Sequence, residues 1–382
     1  MVPAVASGQA IAEARERSRQ VPAPASPLQS RPLATVPPGL SMQLNKPYLL
    51  FLGASQSMTD CKTAAGLRDW CRDDVIGQMG LPGCAVDLRL PWYRPAEAVA
   101  AGARSFVIGV APVGGAIPLE WQPVLLEAVA AGLDIVSGMH TRLASVPGLA
   151  EAAQRRGCCL LDVRHSDRTF AVASGVRRPG RRVLTVGTDC ALGKKYTALA
   201  LTSALRARGI AATFRATGQT GIMIAGAGVA IDAVVADFVA GAAESLSPAN
   251  DPAHWDVIEG QGALFHPAYA GVTLGLIHGS QPDALVLCHD PSRRCLDGFP
   301  EHPIPGLESA MSQYLTAAKL TNPTARFVGI SLNTSSLDGK SRGKLMASLK
   351  EDFGLPVVDP IRDGAGAIAE VMAAQFGLDS AQ

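Results

Sequence analysis

The stretch RVLTVGTDCALGKKYTALALTSALRARG (182–209) decides the fold of the second half of the chain. Its first six residues form a short apolar run that ends in Gly187, and the residues after Lys194 follow a helical pattern. Between them lies a glycine-flanked loop, Gly187–Lys194, that ends in Gly-Lys. In this context backbone N–H groups and the helix N-terminus converge on an anion. The stretch therefore predicts a phosphate-binding loop (P-loop) in an α/β domain.

The loop departs from the commonest P-loop pattern after Lys194. That position normally carries Ser or Thr, whose hydroxyl holds Mg²⁺ against the phosphates, but here it is Lys195. Thr197 lies roughly 200° further around a helix, so it cannot simply take over the hydroxyl's task. A second ammonium favours a cofactor whose phosphates are bound but not transferred, such as coenzyme A, over ATP as a phosphoryl donor. We therefore expect no metal. The predicted cofactor-binding residues are Gly187, Thr188, Asp189, Cys190, Ala191, Leu192, Gly193, Lys194, Lys195, Tyr196 and Thr197.

A second polar turn follows the next predicted strand, in the segment AATFRATGQTG (211–221). Ligands of open α/β sheets usually bind at the carboxyl ends of the strands, where this turn would lie. The turn therefore offers candidate substrate contacts, with Arg215 as a clamp for a carboxylate. An ordinary surface turn is an equally good interpretation of the same residues. The predicted substrate-binding residues are Arg215, Thr217, Gln219 and Thr220.

Three residues are candidate catalytic groups. Glu259 follows the apolar strand WDVI (255–258), where P-loop proteins keep an acid that directs a metal ion or water. His266 lies in the same predicted loop and is suited to proton transfer. Asp237, like Asp232, falls in VAIDAVVADFVAGAAE (229–244), which we interpret as an apolar helix. A buried carboxylate there would need a partner or a function.

The first half of the chain alternates short apolar runs with helical patterns. The runs are PYLLFLGA (47–54), SFVIGVA (105–111), DIVSG (134–138) and CLLDVR (159–164). This alternation predicts a Rossmann-like parallel sheet over residues 45–173, although no GxGxxG follows the first run. Residues 1–44 read as a disordered extension, 174–181 as a linker with solvated arginines, and 182–382 as the P-loop domain.

The composition excludes several classes of protein. A formal net charge of +1, without a lysine-rich block, argues against nucleic-acid binding. The longest apolar stretch, Gly221–Ala243, contains two aspartates and many glycines, so we interpret it as a buried helix pair and not as a membrane span. The eight cysteines show no CxxC spacing, which is typical of reduced thiols. Without a signal-peptide pattern, we expect a cytoplasmic protein.

Several stretches resemble a bacterial family long listed as of unknown function, whose better-understood members are D-glutamate N-acetyltransferases that use acetyl-coenzyme A. The stretches in the second half are GTDCALGKKYTAL, RATGQTGI, AIDAVVADFVAGAAE and IEGQGALFHPAYAGVTLGLIHGSQPDALVLCH. Those in the first half are LPGCAVDLRLP, GLDIVSGMHTRL and LDVRH. Together they extend over most of residues 47–373, and their combination is specific to the family.

The resemblance implies transfer of acetyl from acetyl-coenzyme A to the amine of D-glutamate or a similar amino acid. Glu259, His266 or Asp237 could supply the base, and the choice stays open. The alternative is an ATP- and Mg²⁺-dependent carboxylase or ligase similar to dethiobiotin synthetase, and Lys195 speaks against it. A non-catalytic nucleotide sensor is a third possibility. We expect a homo-oligomer acting on a small amino acid, without nucleic-acid or membrane partners.

Overall fold

The structure is a computed structural model that describes residues 42, 44–110, 114–165 and 168–377. All of these residues belong to one compact unit. The extension predicted over residues 1–44 lies outside the described residues, except for Met42 and Leu44. Met42 donates its backbone N–H to the carbonyl of Gly226 at 2.7 Å, and Leu44 packs against the buried core. Both residues are therefore held against the folded part of the chain.

The first half contains the predicted Rossmann-like sheet. Its five strands are β1 (Tyr48–Phe51), β2 (Val75–Met79), β3 (Ser105–Ile108), β4 (Asp134–Ser137) and β5 (Leu160–Asp162). Its helices are α1 (Lys62–Trp70), α2 (Pro95–Ala100), α3 (Gln122–Ala131) and α4 (Leu149–Arg156). The strands pair in parallel in the order β2-β1-β3-β4-β5. β1, β3 and β4 are buried along their whole length, which explains why they form continuous apolar runs.

The second half contains a six-stranded parallel sheet and a small antiparallel hairpin. The sheet strands are β6 (Arg181–Gly187), β7 (Ala212–Arg215), β8 (Trp255–Ile258), β9 (Ala284–His289), β12 (Arg326–Leu332) and β13 (Val357–Val358). The hairpin consists of β10 (Cys295–Leu296) and β11 (Phe299–Pro303). The helices are α5 (Lys194–Ala207), α6 (Gln219–Ala225), α7 (Val239–Leu246), α8 (Ala270–Ser280), α9 (Leu307–Lys319), α10 (Gly339–Phe353) and α11 (Gly366–Phe376).

The sheet order β13-β12-β9-β6-β8-β7 places the predicted site at one edge. β6 lies between β9 and β8, and all these pairings are parallel. The loops that follow β6, β7 and β8 therefore emerge side by side at the carboxyl edge. α6, which begins just after β7, contacts α1 of the first half, where Thr63 and Thr220 share a hydrogen bond of 2.9 Å. This edge of the P-loop domain consequently faces the Rossmann-like domain.

The helix predicted over residues 229–244 was wrong in its first half. Two short 3₁₀ turns, Ile231–Ala233 and Ala236–Phe238, precede α7, and they carry Asp232 and Asp237. The first part of the segment contains four β-branched residues, which weaken helix formation, whereas small residues let α7 pack closely on α8. Both aspartates are exposed, so the argument from a buried carboxylate does not apply.

None of the helices in the described part of the chain has the length and apolar character needed to span a membrane.

The arginines of the predicted linker and the neighbouring Arg182 are hydrogen-bonded within the protein and not free in solvent. Arg182 is fully buried, and its guanidinium donates to backbone carbonyls that include those of Arg178 and Pro179. Arg178 in turn donates to the carbonyls of Ser247 and Gly279, at the ends of α7 and α8. Cations stabilise the carbonyl-rich C-termini of helices. The prediction of solvated arginines was wrong because the carbonyls of Ser247 and Gly279 lie far from Arg178 in the sequence, which composition alone does not reveal.

Candidate active site between the two domains

The P-loop has the predicted strand, loop and helix arrangement. β6 ends at Gly187, and α5 begins at Lys194. Gly193 precedes the helix with a φ of 106°, which glycine adopts readily and L residues with side chains rarely do. The hydroxyl of Thr188 shares a hydrogen bond of 2.9 Å with Nδ1 of His289 on β9. The first backbone N–H groups of α5 therefore face the space beyond the carboxyl edge, as an anion site requires.

One side of the loop is tied down by Asp189. Its Oδ2 accepts from Arg293 Nη1 at 2.6 Å and from the backbone N–H of Asp297 at 2.9 Å. Its Oδ1 accepts from the N–H of Cys190. The side chain is completely buried. The Asp189 carboxylate therefore fixes the hairpin region to the loop and is not free for a ligand.

Lys194 lies on this same side. Its Nζ donates to the backbone carbonyl of Asp189 at 2.7 Å, and burial lowers the pKa of its ammonium. Thr197 is buried beneath the loop and shares hydrogen bonds with Ser331 Oγ at 2.8 Å and the Gly193 carbonyl. This confirms that Thr197 does not take over the missing hydroxyl's position. It also places the Thr197 side chain in the core, so that it supports the loop from below.

Lys195 points towards the Rossmann-like domain. Its Nζ lies against α1, so that a Cβ added at Gly66 would come within 2.6 Å of it. The ammonium also lies 5.1 Å from the ring centre of Tyr196. Burial lowers the pKa of Lys195 to about 8, and the opposite charge of Glu259 acts against that shift. The two consecutive lysines therefore do not converge on one anion.

Glu259 lies directly after β8 and is almost completely buried. Its Oε2 accepts from the backbone N–H groups of Thr217 at 3.0 Å and Gly218 at 3.2 Å. No hydrogen bond from the described residues reaches its Oε1. Burial raises the pKa of this carboxyl to about 7, and the ammonium of Lys195 acts in the opposite direction. One oxygen is thus fixed while the other can exchange a proton near neutral pH.

Glycines make room for this carboxylate. A Cβ added at Gly221 would lie 2.2 Å from Oε2 of Glu259, and one added at Gly218 would lie 3.4 Å from Oε1. A Cβ at Gly260 would lie 1.7 Å from the carbonyl of Thr185. The glycines of RATGQTG and EGQG therefore allow the two turns to enclose the acid closely.

The predicted substrate contacts in the second turn lie at the boundary between the domains. The Thr217 hydroxyl donates to the Glu259 carbonyl at 2.6 Å, and Gln219 accepts a hydrogen bond of 2.9 Å from Arg164. Arg164, which the sequence analysis missed, follows β5 and is buried. It also donates to the Gly138 carbonyl and pairs with Asp232. Arg164 could have been predicted from its position in LDVRH, just beyond a strand at the carboxyl edge of the first sheet.

The prediction that Arg215 clamps a substrate carboxylate was wrong, because its charge already has a partner inside the protein. Its guanidinium pairs with Asp256 near the start of β8, with 2.7 Å between Nε and Oδ1, and both side chains are buried. A charge with a buried internal partner is not free to clamp a substrate. Arg215 therefore stabilises the join between β7 and β8.

His266 is fully buried on the hairpin side of the loop. Its Nε2 lies 3.3 Å from the Asp297 carbonyl, and its ring stacks on Tyr269. Ligand atoms of Asp189, Cys190 and His266 all lie within 4.8 Å of one another. Within the part of the chain that the structure describes, no hydrogen bond joins His266 to Glu259. The two residues share a loop in the sequence but lie on different sides of the site.

Comparison with known proteins identifies the family. The model of the C-terminal P-loop domain of DUF1611, a domain of unknown function, matches residues 170–369. The model of its Rossmann-like N-terminal domain matches residues 80–166. The chain belongs to the DUF1611 family. This confirms the family resemblance and the fold class inferred from the sequence.

Two curated relatives extend this assignment. A D-glutamate N-acetyltransferase from Tritonibacter scottomollicae is 49% identical over 87% of this chain and 99% of its own length. A protein of the same name from a Pseudoalteromonas species is 47% identical over 86% of this chain and 98% of its own. The chain is accordingly an enzyme of the acyltransferase class.

A solved structure agrees with the fold. The crystal structure of a DUF1611 family protein from Anabaena variabilis is 36% identical, with a TM-score of 0.78. The match covers 86% of this chain and all of that protein. The two-domain arrangement described above is thus shared within the family.

Proposed function

We propose that this enzyme transfers an acetyl group from acetyl-coenzyme A to the amine of D-glutamate or a closely similar amino acid. The two relatives that share nearly half of its sequence carry the name of that activity. The observation that carries the proposal is the Glu259 carboxyl, with one oxygen fixed by two N–H groups and a pKa raised to about 7 by burial. Such a group suits a general base at neutral pH.

The P-loop supports binding of the cofactor. Coenzyme A carries a diphosphate and a 3′-phosphate, and these anions match the backbone N–H groups at the start of α5 and the Lys194 ammonium. Neither group needs a metal ion to bind phosphate. With Lys195 turned away and Thr197 buried, the loop offers no hydroxyl for Mg²⁺ at the usual positions. These features favour coenzyme A over ATP with Mg²⁺.

The reaction needs two proton transfers. Glu259 Oε1 takes one proton from the substrate ammonium, and the freed amine attacks the thioester carbonyl carbon. An N–C bond forms and the C–S bond breaks, so that coenzyme A leaves from sulfur. The second proton of the nitrogen passes to that sulfur, and Glu259 releases its own proton to solvent. The products are the N-acetyl amino acid, free coenzyme A and one proton.

Two measurements test this function. Purified enzyme mixed with acetyl-coenzyme A and D-glutamate should release free thiol in step with N-acetyl product. Calorimetry should show binding of acetyl-coenzyme A without metal. If ATP with Mg²⁺ binds instead and no thiol is released, the ligase alternative becomes the better interpretation.

A further inference from the structure

Two neighbouring lysines of the P-loop point in different directions. Consecutive residues of a helix are about 100° apart, and Lys194 and Lys195 follow this geometry. Nζ of Lys194 donates to the Asp189 carbonyl, beneath the loop. Nζ of Lys195 lies against Gly66 on the other domain. The charges that act on them are also separate, since Asp189 and Arg293 influence Lys194, whereas Glu259, Lys62 and Asp69 influence Lys195.

The Lys195 ammonium lies 5.1 Å from the ring centre of Tyr196 but has no anionic partner in the described part of the chain. Among the described residues, none forms a hydrogen bond or an ion pair with it. Asp69, the nearest acid on α1, is already engaged by Arg68 at 2.7 Å and by the Tyr196 hydroxyl at 2.8 Å. A partly buried ammonium without an anionic partner is unfavourable unless a ligand supplies the opposite charge. Lys195 therefore has the properties of an anion-binding group.

Lys195 and Glu259 border the same turn of α6. A Cβ at Gly66 would touch both the Lys195 ammonium and Cγ2 of Thr220, at 2.6 and 2.8 Å. A Cβ added at Gly221, the residue after Thr220 on α6, would touch Oε2 of Glu259. The two opposite charges influence each other but form no direct ion pair. A cation and an anion thus lie on either side of one short segment at the domain boundary.

We propose that Lys195 and Glu259 together bind the zwitterionic head group of an α-amino acid. The Lys195 ammonium pairs with the α-carboxylate, while Oε1 of Glu259 receives the proton of the neighbouring α-ammonium. In an α-amino acid a single carbon separates these two groups, which matches a site with one cation and one anion. This inference rests on the proposed acetyl transfer, and it assigns Lys195 to the acceptor, not to the phosphates as the sequence predicts.

A pair of acceptors tests the assignment. D-glutamate and 4-aminobutyrate differ only by the α-carboxylate, so their ratio of kcat/KM isolates its contribution. We expect Lys195→Gln to reduce the preference for D-glutamate by about 10- to 100-fold, the value of one charge-assisted contact. The KM for acetyl-coenzyme A should stay unchanged, and Lys195→Arg should restore part of the preference.

Two matched variants serve as controls. Lys194→Gln should raise the KM for acetyl-coenzyme A and leave the acceptor ratio unchanged. Lys62→Gln, which removes the exposed neighbouring cation, should change neither. An unchanged acceptor ratio in Lys195→Gln, or a rise only in its KM for acetyl-coenzyme A, would overturn the assignment. Failure of the parent enzyme to acetylate either acceptor would instead contradict the proposed function.

A substitution on the other domain covers the case in which Lys195→Gln does not fold. Gly66→Ala places a methyl group against both the Lys195 ammonium and Cγ2 of Thr220, and it leaves the sequence of the P-loop unaltered. Alanine suits a helix better than glycine, so α1 should persist. We expect a lower acceptor ratio with unchanged affinity for acetyl-coenzyme A. A ratio equal to that of the parent would count against the assignment independently of Lys195→Gln.

Discussion

The two sides of the P-loop differ in how completely their charges are paired. On the hairpin side, Asp189 is bonded to Arg293 and two backbone N–H groups, and Lys194 to a carbonyl. On the domain-boundary side, no described residue donates to Oε1 of Glu259, and none forms a hydrogen bond or an ion pair with the Lys195 ammonium, which faces the ring of Tyr196. A satisfied network makes a rigid anchor, whereas charged groups without an opposite charge bonded to them are retained where a ligand or a reaction uses them. The comparison assigns the anchoring of the P-loop to the hairpin side and the proposed acetyl transfer to the domain-boundary side.

The largest expected effect is on the rate. Glu259→Gln keeps the shape of the side chain and an oxygen that can accept from Thr217 and Gly218, but it removes the base. We expect kcat to fall by about 10²–10⁴ with little change in the affinity for acetyl-coenzyme A. Steady-state kinetics and calorimetry on the same preparation measure both quantities. If the variant retains more than about a tenth of the parent rate, the loss is smaller than the low end of that range. The general base would then be another residue, such as Asp237.

Stability should change in opposite directions on the two sides. Asp189→Asn leaves Arg293 without its anion and should lower the free energy of unfolding by about 3–5 kcal/mol. Glu259→Gln should raise it by about 3 kcal/mol at pH 8, because the parent must ionise a carboxyl whose pKa burial raises to about 7. That gain should shrink as the pH falls from 7 towards 4, since the carboxyl is then protonated in both states. Urea denaturation at pH 8 and pH 4 measures all three proteins, and losses of equal size for both variants would contradict the comparison.

Cofactor affinity should depend on the anchored side. Lys194→Ala removes a charge-assisted contact worth about 1.5–3 kcal/mol, so acetyl-coenzyme A should bind at least about tenfold more weakly. The fold should persist, which circular dichroism can verify. Unchanged affinity in calorimetry would remove the P-loop from the cofactor site.

The smallest expected effect is that of chelation. Because Lys195 replaces the hydroxyl that holds Mg²⁺ in most P-loops, activity should remain the same after dialysis against EDTA. The measurement is thiol release before and after dialysis, with added Mg²⁺ as the control. Loss of activity that Mg²⁺ restores would favour the ATP-dependent alternative.

The sequence predicts what neighbouring residues determine. The P-loop, the strands that alternate with helices and the position of Glu259 follow from local patterns, and the structure has all of them. β2 was missed because its strand, VIGQM, carries a glycine and a glutamine and follows the polar run Arg72–Asp74.

Contacts between segments that lie far apart in the chain could not be predicted from the sequence. The pairing of Arg215 with Asp256 and the contact of Gly66 with Lys195 join residues far apart in the chain. Residue type and spacing suggested that Arg215 was free and that Lys195 held phosphate. Only the packing of α1 on α6 and of β7 on β8 reveals which charge already has a partner. The roles of the two cations were therefore not predictable from the sequence, and the site itself stays a prediction.

The pH dependence of kcat/KM for the acceptor tests the central claim most directly, because it reports the ionisation of the free enzyme. Glu259 must be deprotonated to act as a base, so activity should rise with pH through about 7, and Lys195 must be charged, so it should fall above about 8. Glu259→Gln should lose the acidic limb, and Lys195→Arg should move the alkaline limb to higher pH. Profiles of the same shape in the parent and in Glu259→Gln would contradict the assignment of the chemistry to the domain boundary.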